Sequence, residues 1–383
     1  MIRWMNATFF TMKNEKETRK ELITHEGIIT HIGNDLSHIP VDQTIDLKKM
    51  YVYPGFVDSH LHLMGYGQKL LTPSLKGITA KEEALKMIEN QLNPHQIIFE
   101  DYRFLNITID ELDAISKTVP IILRHQDYHS VTVNSYVINL LHVPHHQGVV
   151  YEEHAEKITN YYASHYSNDA LTKMLETAIK SLWSFGVTQG HSDDLAYFNG
   201  FHHTFNVFKH VLEKMPFRAQ LLMHHRILDD YIAAKLPFLD INDRLQLGPV
   251  KMFYDGTMGS KTAYLKENYK NESHQGFKNI SPPNFEETII KARAHGLPVA
   301  IHVIGDQATI DVCKLLLKHP IKKPLKDRLI HVPWLDQEGL DLLKQVNCFI
   351  DAQPQFLSSD LPWALSFFQN IPPYPFAWKT MMS

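Results

Sequence analysis

Cysteine and long apolar runs are scarce in this sequence. Only two of its 383 residues are cysteines, Cys313 and Cys348, and both have apolar neighbours. Buried free thiols in a reducing compartment are therefore expected, and a disulfide framework is excluded. The first residues lack the apolar core of a secretory signal, and no apolar run is long enough to cross a bilayer. These features predict a soluble, cytoplasmic protein.

An excess of charge of one sign is also missing. Lys and Arg number 38, Asp and Glu number 42, and the net charge of −4 comes without any basic block. Such a chain has no electrostatic footprint for nucleic acid or for an anionic membrane, so neither is an expected partner. The expected partner is a small-molecule substrate.

Histidine, by contrast, is abundant, with 24 residues. His60 and His62 close an apolar run that is typical of a β-strand. Because side chains alternate along a strand, both imidazoles point to the same side, and together they make half of a metal site. Without further residues, two ordinary polar side chains at a strand end remain the simpler interpretation.

From residue 186 onwards, apolar strands alternate with amphipathic helices, a pattern typical of parallel β/α units. The predicted strands are 186–191, 217–223, 250–255, 298–306, 328–333 and 348–354. With the strand that carries His60 they number seven, whereas a closed barrel of this kind needs eight. The sequence therefore predicts an α/β fold: a (β/α)8 TIM-like barrel with seven strands present and the eighth missing, so that the chain is expected to be truncated at its C-terminal end.

Three regions are predicted around this barrel. Residues 1–53 contain short β segments and are expected to form part of a small β-sandwich. Residues 54–64 and 186–383 form the barrel, and residues 65–185 are a large insertion after strand 1 that would cap the barrel mouth. Because an open barrel exposes an unpaired strand edge, a homodimer is one expected way of covering it.

Three further candidate residues lie on the predicted strands. Lys251 is surrounded by bulky apolar residues, and burial of its ammonium group would be unfavourable unless a carboxylate such as Asp255 paired with it. His302 and His331 each lie near the end of a strand. Either histidine alone is more simply interpreted as a hydrogen-bonded core residue.

Several segments together resemble the amidohydrolase superfamily. Residues 54–62 (PGFVDSHLH) are similar to its strand 1 signature. Residues 255–263 (DGTMGSKTA), 302–308 (HVIGDQA) and 124–130 (RHQDYHS) resemble segments of its family 3 branch, which contains the N-substituted formamide deformylases. The resemblance spans nearly the whole chain.

This resemblance implies a site as well as a fold. It implies metal ligands at His60, His62, His302, His331 and Lys251. Lys251 would bridge two ions if it is carbamylated, an outcome that the sequence leaves open. The resemblance also implies a catalytic role for Asp255 and substrate contacts for Asp127 and His129. Imidazole nitrogen suits zinc, and also iron or nickel, so the expected cofactor is a divalent metal, with zinc the first choice and one or two ions per chain.

The implied activity is metal-dependent hydrolysis of a C–N bond, in an amide or an N-acyl or N-formyl group, by metal-activated water. A mononuclear deaminase is an alternative, which one ion and an unmodified Lys251 would favour. A catalytically silent, truncated chain is a second alternative, because the aspartate that ends strand 8 in the family has no counterpart. Asp306 and Asp351, on strands 5 and 7, are poor substitutes for it.

Overall fold

The structure, a computed structural model, describes residues 1–14, 16–93, 97–103, 105–125, 130–163 and 166–382. The chain divides into two units. The first consists of Met1–Val57 with Gly186–Thr188, and the second of Asp58–Phe185 with Gln189–Ser383.

The first unit contains two small β-sheets. Its strands are β1 (Ile2–Met5), β2 (Thr8–Phe10), β3 (Thr18–Arg19), β4 (Glu21–His25), β5 (Ile28–Gly33), β6 (Gln43–Asp46) and β7 (Tyr51–Val52). They pair in the orders β5-β4-β1-β6 and β3-β2-β7. β4 and β5 form an antiparallel hairpin. Glu26 and Gly27 have φ values of 49° and 79°, as the two central residues of a type I′ turn require.

A separate sheet occupies the region after the first barrel strand. That strand is β8 (Phe56–Leu61). It is followed by α1 (Leu63–Leu71), α2 (Lys81–Gln91), β9 (Ile98–Tyr102), α3 (Ile109–Ile115), β10 (Ile122–His125), β11 (Ser130–Val133), α4 (Ser135–Leu141), β12 (Val149–Tyr151), α5 (Glu152–Ala163) and α6 (Asn168–Ser184). The sheet has the order β12-β11-β10-β9. Ile98 and Ile122 belong to one apolar cluster and Phe99 and Leu123 to another, so alternation along the strands buries both faces.

The remaining elements alternate between strand and helix. They are β13 (Val187–Ser192), α7 (Gly200–Lys214), β14 (Arg218–His224), α8 (Leu228–Ala234), β15 (Leu239–Asn242), β16 (Leu245–Phe253), α9 (Pro282–Ala294), β17 (Val299–Val303), α10 (Asp306–Lys318), β18 (Asp327–His331), β19 (Trp334–Leu335), α11 (Gln337–Leu343), β20 (Cys348–Asp351), α12 (Phe356–Ser359), α13 (Leu361–Ala364), β21 (Tyr374–Pro375) and α14 (Trp378–Met382).

Seven strands form the barrel sheet, in the order β8-β13-β14-β16-β17-β18-β20. Each pair from β13 to β20 is parallel, and β15 adds an antiparallel strand beside β16. The predicted TIM-like fold is confirmed, and among the described residues the parallel strands number seven. The register places Lys251 opposite His224 on one side and Ala300 on the other.

A buried ion pair lies inside the barrel. The Arg328 side chain donates from Nε and Nη2 to Oδ2 of Asp351, at 2.8 and 2.7 Å. It also donates to Oε1 of Gln220 at 3.1 Å and to the backbone carbonyl of Ser59. Arg328 therefore connects β20 to β8, the two outer strands of the sheet. Asp351 is engaged in this ion pair, which explains why it makes a poor substitute for a catalytic aspartate.

Both cysteines are free thiols; Cys313 is buried and Cys348 is partly buried. None of the helices in the described ranges combines the length and the apolar character that a membrane span requires.

Candidate active site

The four predicted histidines lie together at the carboxyl ends of three strands. His60 lies in β8 and His62 follows that strand directly, while His302 lies in β17 and His331 ends β18. The ring centroid of His60 is 5.6 Å from that of His62 and 5.5 Å from that of His331. The centroids of His302 and His331 are 4.6 Å apart. Three strands that are distant in sequence thus bring four imidazoles to one place.

Backbone carbonyls fix the orientation of two of these rings. Nδ1 of His62 donates to the carbonyl oxygen of Asp193 at 2.7 Å. Nε2 of His302 donates to the carbonyl oxygen of Gly256 at 3.0 Å. A neutral imidazole that donates from one nitrogen keeps a lone pair on the other, which is the usual state of a metal-binding histidine.

Burial keeps three of the four rings neutral. It holds the pKa of His60 well below its ordinary value, with the charge of Lys251 as the next cause. It lowers the pKa of His302 to about 3. The pKa of His331 is also well below its ordinary value, because of burial and then because of His302. Neutral rings are the form that binds a metal ion, so this site needs no prior loss of protons from these three.

The backbone at His331 adopts a rare conformation. His331 has a φ of 79° and Val332 a φ of 45°, in the left-handed region that β-branched residues in particular avoid. Residues held in such conformations cluster at functional sites, where the surrounding structure enforces them. The turn after β18 therefore holds His331 in place at a cost in backbone energy.

Lys251 is the unusual member of the group. Its side chain is fully buried, and Nζ has no hydrogen-bond partner among the residues that the structure describes. Nζ lies 4.0 Å from the centroid of the Phe253 ring. Burial lowers the pKa of Lys251 to about 8. The interpretation of Lys251 as the ion-pair partner of Asp255 is therefore wrong, and a lysine with a lowered pKa is more readily available as a free amine.

Asp255 instead holds the backbone of two neighbouring segments. Its Oδ2 accepts from the N–H groups of Tyr264 and Gly305, and its Oδ1 accepts from that of Ile304, at 2.8 to 3.0 Å. Gly305 is required here, because a Cβ at this position would lie 1.9 Å from the carbonyl oxygen of Tyr264. Burial raises the pKa of Asp255 to about 7, although these hydrogen bonds act to lower it. As placed, its carboxylate joins the loop after β16 to the end of β17.

Sequence reasoning missed Asp193. Its side chain is fully buried, and neither carboxylate oxygen has a hydrogen-bond partner within the described ranges. Burial raises the pKa of Asp193 to about 6, while Lys251 and His62 act in the opposite direction. The only sequence signal was the acidic pair Asp193-Asp194, which begins one residue beyond the predicted strand 186–191. An isolated buried carboxylate is unfavourable without a cation, so Asp193 belongs with the charged centre.

The residues on either side of Asp193 have a structural task. Oγ of Ser192 accepts from the N–H of Leu63 at 2.8 Å, and Oδ2 of Asp194 accepts from the N–H of Met64 at 3.1 Å. These bonds satisfy the first free N–H groups of α1, the helix that begins directly after His62. They fix the end of β13 against the end of β8.

The two predicted substrate contacts, Asp127 and His129, lie outside the described residues.

The donor set fits a divalent metal ion in its chemistry. It combines neutral imidazoles with lone pairs, an unpaired carboxylate and an unpaired lysine, and the Nδ1 atoms of His60 and His331 are buried without a partner among the described residues. Within that same part of the chain, no three His, Cys, Asp or Glu side chains already stand in the arrangement of a metal site. Binding therefore requires adjustment of these side chains, and a carbamylated Lys251 would supply a further carboxylate.

Two cavities open beside the rings. The apolar cavity, of 270 Å³, is lined by His302 and His331 and by Met258, Trp334, Phe356 and Trp363, among others. The polar cavity, of 810 Å³, has a lining that includes Tyr197, Asn199, His224, Arg226, Asn279 and Phe253. The Phe253 ring centroid is 5.2 Å from that of His302 and 5.8 Å from that of His224. Phe253 therefore stands between the histidine cluster and the polar cavity.

Comparisons with known proteins agree with this architecture. The model of the amidohydrolase family matches residues 43–383. The putative amidohydrolase YtcJ of Bacillus subtilis (strain 168) is 30% identical over 423 residues, which cover 99% of this chain and 78% of that protein. Crystal structures of uncharacterized metal-dependent hydrolases from Pyrococcus furiosus and Pyrococcus horikoshii have TM-scores of 0.85 and 0.84. They are 23% and 22% identical, and the matches cover 96% of this chain and 80% and 77% of theirs.

Proposed function

This chain belongs to the amidohydrolase family, and on that premise we propose that it is a metal-dependent hydrolase that cleaves a C–N bond. The bond is that of an amide or of an N-acyl or N-formyl group in a small molecule. The proposed ligands are His60, His62, His302 and His331, together with Lys251. When bound, a divalent ion supplies activation of water and polarisation of the scissile carbonyl group.

The observation that carries this proposal is the fixed orientation of the rings. The carbonyl groups of Asp193 and Gly256 accept the ring protons of His62 and His302. In the neutral form of each ring, the lone pair therefore lies on the nitrogen that faces away from its carbonyl. This pairing of a ligand imidazole with a backbone acceptor sets ring orientation and raises the basicity of the ligand.

Lys251 has a role in the binuclear form of this site. Its pKa of about 8 leaves part of the population as a free amine near neutral pH. The amine Nζ attacks carbon dioxide, a new N–C bond forms and one proton leaves, which gives a carbamate with two oxygen donors. Nζ is buried from solvent and lies against the Phe253 ring. Zinc is the proposed metal because it accepts imidazole and carboxylate donors in one site.

Metal content tests the ligand assignment. Purified protein is loaded with zinc, dialysed and analysed for zinc per chain, beside the double variant His60→Asn/His62→Asn and the control His25→Asn. His25 is an exposed histidine of β4. We expect one or two zinc ions in the wild type and in the control, and loss of zinc in the double variant. Equal zinc content in all three proteins would contradict the site.

Mass spectrometry and hydrolysis assays separate the related activities. The binuclear hydrolase is supported by a mass increase equal to one carbon dioxide, together with two zinc ions per chain. This mass increase should be absent in Lys251→Met. One zinc ion with unmodified Lys251 favours a mononuclear deaminase. A panel of N-acyl and N-formyl compounds tests cleavage directly, and zinc binding without any turnover would favour a catalytically silent protein.

A further inference from the structure

The polar cavity has a chemical character that the proposed hydrolysis does not use. At 810 Å³ it lies within the usual size range of small-molecule sites. Its lining combines a guanidinium group, two imidazoles and several side-chain amides, and no described Asp or Glu contributes to it. A pocket with hydrogen-bond donors and a positive charge, and without acidic residues, suits an anion.

Arg226 supplies the positive charge. Its side chain is exposed, and within the described part of the chain it forms no ion pair. The turn that carries it is fixed, because the N–H of Arg226 donates to Nδ1 of His224 at 3.2 Å. The nearby acidic residue Asp229 is already paired with Lys291. Among the described residues, Arg226 is therefore an unpaired cation on a turn whose backbone is held in place.

Two further polar atoms at this cavity are also unsatisfied. Oδ1 of Asn199 and Nδ1 of His225 are buried without a hydrogen-bond partner among the described residues. Unsatisfied buried polar atoms are unfavourable, and a ligand relieves that cost where a small side-chain movement opens the atom to the cavity and the ligand supplies the complementary group. Nδ1 of His225 donates to a carboxylate in the tautomer that carries a proton on it, whereas Oδ1 of Asn199 is an acceptor and suits the N–H of an amide.

The apolar cavity on the other side of the histidines has the opposite character. His302 and His331 form its inner wall, and Trp334, Phe356 and Trp363 supply aromatic surface. A substrate whose C–N bond lies at the histidine cluster would meet aromatic side chains on one side and a cationic pocket on the other.

We propose that the substrates are amides that carry an apolar group on one side of the scissile C–N bond and a carboxylate on the other, with Arg226 binding the carboxylate. This inference deepens the proposed hydrolase function and rests on it for the position of the bond. Arginine binds carboxylates through two parallel hydrogen bonds, which fixes orientation as well as charge.

Binding and turnover are measured separately so that the two proposals fail in different ways. Binding of N-benzoylglycine and of its neutral amide is measured by calorimetry on EDTA-treated protein, where turnover does not interfere. Benzoate release from the same two compounds is measured on zinc-loaded protein. The variants are Arg226→Gln, the conservative Arg226→Lys, and the control Arg218→Gln, which changes an exposed arginine at the opposite end of β14.

We expect the wild type to bind the acid more tightly than the amide, and Arg226→Gln to weaken binding of the acid by about 10- to 100-fold, the range for loss of a charge-assisted contact. The amide should bind all variants alike, Arg226→Lys should restore part of the preference, and Arg218→Gln should keep it. In turnover, the effect of Arg226→Gln should appear in KM more than in kcat.

Equal binding of acid and amide by the wild type, or an unchanged preference in Arg226→Gln, would overturn this inference even if both compounds are hydrolysed. A preference for the acid that depends on Arg226 supports this inference, even where no benzoate is released. If benzoate release is absent, the hydrolase proposal fails and the inference about Arg226 stands.

Discussion

Two buried charged regions of the barrel are organised in opposite ways. In the interior, Arg328 uses its guanidinium group to bind Asp351, Gln220 and the backbone of Ser59. At the mouth, Nζ of Lys251 and both carboxylate oxygens of Asp193 lack partners within the described residues. Both regions are almost completely removed from solvent, so burial alone does not distinguish them.

The difference shows which polar residues maintain the fold and which await a ligand. A buried charge with a full set of partners contributes to specific packing, whereas a buried charge without them is destabilising. A protein that keeps the second kind gains something from it other than stability. The unsatisfied group coincides with the four clustered histidines, and the satisfied group does not.

The largest expected effect is a loss of stability when the ion pair between Arg328 and Asp351 is broken. Arg328→Met leaves Asp351 buried without its cation, and the free energy of unfolding should fall by about 3–5 kcal/mol. Urea titration of metal-free protein measures this. The double variant Arg328→Met/Asp351→Leu replaces the whole pair with apolar side chains and should recover much of the loss. A double variant as unstable as the single one would show that the other contacts of Arg328 matter more.

The next effect separates activity from stability in the unsatisfied region. Lys251→Met should reduce hydrolysis by about 10²- to 10³-fold, since metal-assisted catalysis is worth several kcal/mol. The free energy of unfolding of the metal-free variant should be unchanged or higher, because an unpaired buried charge has been removed. Parallel losses of stability and activity would mean that Lys251 is a structural residue like Arg328.

A third effect concerns pH. The pKa of Lys251 is about 8 in the folded state against 10.5 in the unfolded chain. Below pH 8 both states carry the proton, and between pH 8 and 10.5 the unfolded state binds more protons, so stability rises with pH by about 3 kcal/mol in total. The stability advantage of Lys251→Met over the wild type should therefore shrink across this range. Parallel pH curves for the two proteins would contradict the lowered pKa.

The smallest effect tests Asp255, which lies four residues after Lys251 and is equally buried. Asp255→Asn replaces one acceptor oxygen by a donor and leaves at least one backbone N–H without its partner. The free energy of unfolding should fall by about 1–3 kcal/mol. Asp230→Asn, at an exposed position of α8, is the control and should change little. A loss of hydrolysis much greater than this loss of stability would support the predicted catalytic role of Asp255.

Much of the architecture could be predicted from local pattern. The alternation of strands and helices after residue 186 predicted the barrel strands within a few residues, except that β16 begins at Leu245, five residues before the predicted start. Leu245 and Leu247 face the core, but Gln246 and Gly248 interrupt the apolar run. The sequence pattern therefore did not indicate that the strand begins here. The four histidines were predicted because each stands at the end of a predicted strand within a recognisable segment.

Partners of side chains could not be predicted in the same way. Nothing near Asp351 in sequence indicates Arg328, and nothing near His62 indicates the carbonyl group of Asp193, which is 131 residues away. Sequence proximity alone makes Asp255 the natural partner for Lys251. In the structure its oxygens instead turn to the N–H groups at the end of β17.

The sequence by itself determined the periodicity of the strands and helices, the identity of the candidate ligands and the family, because these depend on residue type and spacing along the chain. Only the tertiary structure decided which buried charges are satisfied and which are not. Hydrogen bonds and burial depend on which distant strands lie side by side, so the contrast between Arg328 and Lys251 exists only in the folded barrel.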